Sequence, residues 1–123
     1  MNKFSTSAFT LLELLVAMTI VSILTAVALP QYGAYRKRAF DARVVSDLRS
    51  IALAEEAYFF DAERYLACQT QSCPQVLPGI LTLSKGTTLT VALRGDGFRA
   101  EATHPMGTGK NYVWDSTQGG MLE

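Results

Sequence analysis

Glu13 is the only charged side chain between Phe9 and Leu29, a stretch that reads FTLLELLVAMTIVSILTAVAL. A carboxylate in hydrocarbon is costly unless it is paired, so such a residue marks a functional position by default. The chemistry open to it is charge pairing with a cation at similar depth. The alternative is a carboxylate that snorkels to the headgroups with no partner.

Other reactive residue types are sparse. Cys68 and Cys73 lie in Cys-Gln-Thr-Gln-Ser-Cys-Pro, and His104 is the only histidine, so a closed tetrahedral metal site within one chain is short of ligands. A small disulfide loop is the better reading than two free thiols, and it places the C-terminal part in an oxidising compartment. With one histidine, just before Pro105, and no accompanying motif, nothing points to catalysis. The stretch from Asp115 to Gly120 offers one carboxylate, fewer than calcium sites gather, and reads instead as a hairpin turn. Arg94-Gly95-Asp96 matches an integrin-recognition tripeptide, yet a tight turn accounts for both Gly95 and Asp96. Eleven basic and eleven acidic residues cancel, so no basic field argues for nucleic acid, and no cofactor is indicated.

The elements that position these residues begin with the apolar run, long enough to cross a bilayer as a helix. Twelve of its residues are Leu, Ile, Val or Phe. At about −0.3 to −0.6 kcal/mol each they sum to roughly −4 to −7 kcal/mol, against about 2.5 to 3.5 for a central acidic residue. The run can insert despite Glu13. It fits a plain signal anchor, or a secretory signal peptide cut after Ala28 that releases a soluble periplasmic binding module. Against the signal peptide stand Glu13, inside what should be an uncharged stretch, and a helical pattern that continues past the supposed cut.

A third reading comes from Ala8-Phe9-Thr10-Leu11-Leu12-Glu13-Leu14-Leu15, which resembles the class III signal of type IV pilins and pseudopilins. Pro30, followed by Gln31-Tyr32, matches the proline after the apolar run in many members. The resemblance covers about Ala8 to Tyr35. It implies removal of a leader, Met1 to Ala8, with Lys3 as its charge, N-methylation of Phe9, and assembly guided by Glu13. That cut would create a cation for Glu13, the α-amine of Phe9; within a single helix the two groups are poorly placed to meet, whereas the amine of a neighbouring copy can reach. Such pairing between copies would offset the desolvation and set the axial register of a stack. The family usually has Gly before the cut, where this chain has Ala8. The implied function is that of a structural subunit of a type IV pilus, or else a pseudopilin of type II secretion. Implied partners are other copies in a helical filament, a prepilin peptidase and methyltransferase, an inner-membrane platform protein and an assembly ATPase. The subunit would wait as a single-pass inner-membrane protein and end in an extracellular pilus or periplasmic pseudopilus. Arg36, Lys37 and Arg38 after the run oppose that orientation by the positive-inside tendency; the cysteine pair and the resemblance favour it.

Beyond Pro30, where a kink rather than a stop is expected, Phe40, Val44, Leu48, Ile51, Ala54 and Tyr58 recur at helical spacing. Asp41, Arg43, Asp47, Arg49 and Glu56 fall on other faces, and the helix should end near Asp61. At 1.5 Å per residue, a helix from Phe9 spans roughly 80 Å. The segment Glu63–Gly79 reads as a loop pinned by the cysteines. Alternation over Thr88–Leu93 and Phe98–Thr103, around Arg94-Gly95-Asp96-Gly97, predicts a hairpin, with further strands at Tyr112–Asp115 and near Met121. Phe9, Tyr32, Tyr35, Phe40, Phe59 and Tyr65 resemble the aromatic placement of short pilins proposed to conduct electrons, but packing between helix and head explains them. The expected fold is α+β: a long kinked helix over 9–61, membrane-spanning over 9–29, and a head over 62–123 with an antiparallel sheet of three or four strands.

Overall fold

The computed structural model describes residues 7–122; most of the expected leader, including Lys3, lies outside the described residues. By contacts the chain divides into two units, Met1–Tyr35 and Arg36–Glu123. Among the described residues, one helix, α1 (Leu11–Ala62), supplies the regular structure of the first and continues into the second. Its C-terminal end lies one residue from the expected one, and Pro30 does not end it.

In the first unit the apolar side chains of α1 are exposed, from Leu11 to Leu29. By length and composition this segment is able to cross a membrane. Its hydroxyls suit an apolar surrounding. Thr19, Ser22 and Thr25 each donate to the carbonyl four residues back, of Leu15, Met18 and Val21, at 2.8, 2.7 and 2.7 Å. Thus the polar atoms of these side chains are satisfied within the helix and need no water.

The second unit packs one face of α1 on a sheet. Val44, Leu48, Ile51 and Ala54 are buried as their spacing predicts, with Ala52 beside them. They meet Leu89, Val91, Phe98, Ala100 and Ala102, the inward-facing residues of two alternating strands. Burial of each large aliphatic or aromatic side chain contributes about 1.5 to 3 kcal/mol. The strands are β1 (Cys68–Gln69), β2 (Thr88–Arg94), β3 (Gly97–Thr103), β4 (Tyr112–Asp115) and β5 (Gly120–Leu122), all antiparallel and in sequence order. The hairpin between β2 and β3 closes at Arg94 opposite Gly97, with Gly95 in the left-handed region at φ 57°. Five strands form where three or four were expected.

The addition is β1, inside the segment expected to be a loop. Cys68 and Gln69 pair with Val91 and Thr90, extending the sheet at its edge. A second helix, α2 (Cys73–Val76), follows, with Pro74 in its first turn. Cys68 and Cys73 form a disulfide, Cα–Cα 5.0 Å, that joins the two elements, and both are buried. Two residues of strand and one turn of helix are too short to leave a periodic signal.

A second departure concerns charge. The spacing placed Asp41 and Asp47 on faces away from the core, yet both are buried, as is Glu55. Each carboxylate faces a loop and accepts from its backbone. Asp41 takes the amide of Thr108 at 3.1 Å and the hydroxyl of Tyr112 at 3.2 Å. Asp47 takes the amide and hydroxyl of Ser84 at 3.1 and 3.0 Å, and Glu55 the amide of Leu66 at 2.9 Å. Burial works against the charge on Asp41, but hydrogen bonds from Thr108 and Tyr112 outweigh it and hold its pKa below the ordinary carboxylate value. For Glu55 burial dominates and pushes the pKa up; its Oε1 is buried without a partner.

Just past α1, Glu63 takes a left-handed φ of 52°, closing the helix through its amide to the carbonyl of Phe59 at 2.8 Å. Glycine is usual there, and a residue with a Cβ costs about 1 to 2 kcal/mol. At Gly86, with φ 88°, a Cβ would stand 2.6 Å from Nε2 of His104.

Two outcomes follow for the protein in detergent. Gly86→Ala should lose about 2 kcal/mol or more by chemical denaturation, from strain and displacement of His104. Glu55 has a raised folded pKa, so its stabilising contribution is present below the ordinary carboxylate value and lost as pH rises through the folded one. Glu55→Gln keeps an acceptor for Leu66, so its denaturation midpoint should exceed the wild type's near pH 7 and approach it near pH 4.

Candidate functional site

Glu13 is placed by the way α1 begins. Ser7 to Thr10 have no regular structure and are exposed, so the Ala8–Phe9 bond lies in accessible, non-helical chain ahead of the first turn. Thr10 caps that turn. Its hydroxyl accepts from the amide of Glu13 at 3.1 Å, while Oε2 of Glu13 accepts from the amide of Thr10 at 2.9 Å. This reciprocal pair is a capping box, which satisfies two of the donors that a helix start leaves open. A negative charge in the first turn is also favoured by the helix dipole. The sequence signal for this cap is the three-residue spacing in Thr10-Leu11-Leu12-Glu13, which the reading of Glu13 as a lone charge does not use.

The box uses one carboxylate oxygen. Oε1 of Glu13 makes no hydrogen bond or ion pair among the described residues. Around it, Leu12, Val16, Ala17 and Ile20 form a shallow apolar surface. Phe9, directly before the cap, is 90% exposed. The cap survives removal of everything before Phe9, because it needs only Thr10 and Glu13. What the arrangement offers chemically is one fixed carboxylate oxygen in an apolar setting at the head of an exposed apolar helix.

The remaining sequence candidates lie in the second unit and are occupied by its own structure. His104 is buried and stacks on Phe40, ring centroids 4.5 Å apart. Its Nδ1 accepts from the amide of Met106 at 3.0 Å, so Nε2 carries the proton and donates to the carbonyl of Lys85 at 3.1 Å. Asp115 accepts from the amide and hydroxyl of Thr117 at 3.0 and 2.6 Å, and Arg94 sits 3.2 Å away. The hydrogen bonds from Thr117, foremost, hold its pKa below the ordinary value. The carboxylate of the Asp115–Gly120 stretch therefore serves a turn, Ser116–Gln118, and the guanidinium of the Arg94-Gly95-Asp96 tripeptide is tied to it. Phe59 stacks on Tyr65 at 4.7 Å and Tyr65 meets Phe98 in a tilted contact at 5.0 Å, as packing of the head requires.

A long apolar N-terminal helix whose second half packs on a small antiparallel sheet is an α+β, pilin-like fold. In comparison with known proteins, residues 3–29 match the prokaryotic N-terminal methylation motif. The chain is similar to a fimbrial protein of Pseudomonas aeruginosa, 34% identical over 62 residues, which is 50% of this chain and 40% of the relative. It is 41% identical over 61 residues to the major component of the type IV wide pilus of Thermus thermophilus, covering 50% and 47% of the two chains. A type IV major pilin of Myxococcus xanthus is 30% identical over 57 residues, 46% of this chain and 26% of that one. Type IV pilins are thus homologues of this chain, and it spans less than half the length of these relatives.

Thr10 has a measurable role here. Thr10→Val removes the cap oxygen and should weaken the helix start by about 1 kcal/mol. In micelles, amide exchange at Leu11 to Glu13 should speed up by about fivefold while amides beyond Leu15 stay unchanged.

Proposed function

We propose that this chain is a structural subunit of a type IV pilus that polymerises through its apolar N-terminal helix. One observation carries the reading: the methylation motif over residues 3–29 takes in the start of an exposed apolar helix whose first turn fixes a carboxylate. Relatives described as fimbrial proteins and pilus components favour a pilus over a secretion pseudopilus.

In this reading a prepilin peptidase cuts between Ala8 and Phe9, and Phe9 is N-methylated. The subunit is held in the inner membrane by α1 until a platform protein and an assembly ATPase drive it into the filament. There the amine of Phe9 of one copy meets Oε1 of Glu13 of its neighbour. The apolar surface from Leu11 to Leu29, too large to leave in water, passes from lipid to other copies of the same helix. Pro30 gives the helix a place to bend. The disulfide fits exposure of the head to an oxidising compartment.

The intact mass and N-terminal sequence of the protein recovered from cells test the processing. A methylated Phe9 start is expected; a start at Leu29 would mean a secreted soluble domain and end the filament reading. Glu13→Ala should still be inserted and cleaved but assemble at least about tenfold less, since an unpaired ammonium in apolar surroundings costs more than 1.4 kcal/mol. Normal filament yield by electron microscopy would sink the pairing.

A further inference from the structure

Two charged features of the second unit have no part in holding it together, and they stand at opposite ends of its stretch of α1. At the start, Arg36, Lys37 and Arg38 are exposed, and none makes an ion pair among the described residues. Past the end lies an open cleft of about 430 Å³ lined by Phe59, Glu63, Arg64, Leu93 and Asp96, among others. Glu63 and Asp96 are exposed and likewise form no ion pair among the described residues. Arg64 leans on the hydroxyl of Tyr58 at 3.4 Å. Phe59, stacked on Tyr65, keeps 38% of its surface open. Two carboxylates beside an aromatic ring are a setting for a cationic side chain, by charge and by cation–π attraction.

Glu63 adds an independent pointer. It holds a left-handed backbone conformation, φ 52°, at a helix terminus where glycine would be unstrained. Its side chain makes no hydrogen bond among the described residues that would explain its presence there. Strain kept at a position that feeds a cleft is the pattern of a functional residue rather than a structural one.

We infer that this cleft receives the Arg36–Lys37–Arg38 segment of a second copy of the chain, a contact that rests on the pilus-subunit reading. Lys37 and Glu63 are 26 positions apart, a rise of roughly 39 Å at helical spacing. Copies inserted in one membrane share one orientation, so patches at opposite ends cannot meet reciprocally. They join head to tail, and such a heterologous contact repeats into an open polymer. The cation supplied by one head lies against Phe59, between Glu63 and Asp96 of the next.

Charge exchange in the full chain tests this. Glu63→Lys with Asp96→Lys, and separately Arg36→Glu with Lys37→Glu, should each lower filament yield by about tenfold, and all four together should restore most of it. Glu63→Gly should leave the head at least as resistant to denaturant, because the strain is relieved, yet still lower the yield. Should charge reversal block insertion, Lys37→Cys with Asp96→Cys keeps the test open: a bismaleimide should give filaments a ladder of cross-linked multimers. Filaments without a ladder, cross-links to another protein instead, or a fourfold variant no better than its parents overturn the contact and leave the subunit reading intact. A wild-type chain that is neither cut before Phe9 nor polymerised overturns both.

Discussion

The head depends on three carboxylates of one helix, Asp41, Asp47 and Glu55, each turned into the protein to hold the backbone of a loop. A small sheet over a single helix buries little, and its connections would otherwise leave amides facing neither water nor a partner. The loop before β1, the loop before β2 and the loop between β3 and β4 each send one amide to α1, of Leu66, Ser84 and Thr108. Because all three acceptors project from one helix, the loops take their positions from it. Around these anchors the apolar face of Val44, Leu48 and Ile51 closes on Leu89, Val91 and Phe98. The cost is visible at Glu55, whose second oxygen is buried without a partner.

The same helix obeys a different rule in the first unit. There no sheet covers it, so apolar residues occupy every face, and hydroxyls fold back on the carbonyls of the preceding turn. Glu13 is the exception, and its capping box with Thr10 shows how a carboxylate is tolerated. Half of its hydrogen-bonding capacity serves the start of its own helix, which leaves the other half oriented and free. The proposed pairing in assembly and the observed capping thus call on different atoms of one side chain.

Much of this was open to inspection in the chain itself, for reasons of periodicity. A 21-residue apolar run states its environment without reference to other residues. Helical spacing of Val44, Leu48, Ile51 and Ala54 identifies a buried face, and alternation around Arg94-Gly95-Asp96-Gly97 identifies a hairpin. Elements of about one period leave no repeat to read: β1 has two residues and α2 a single turn. Nor did residue type reveal the buried aspartates. Asp41 and Asp47 looked like solvated charges, because the amides that pair with them come from loops 67 and 37 positions away.

The sequence by itself determined where the chain is apolar, which face of α1 is buried, and that Glu13 stands alone in hydrocarbon-like surroundings. These are local properties, set by side-chain type and by the repeat of helix or strand. Only the tertiary structure decided which polar groups far apart in the chain meet. It brought Arg94 to Asp115, set His104 against the carbonyl of Lys85, and gathered Glu63 and Asp96 at one cleft. Such meetings depend on loop paths and strand register, and no spacing along the chain encodes them.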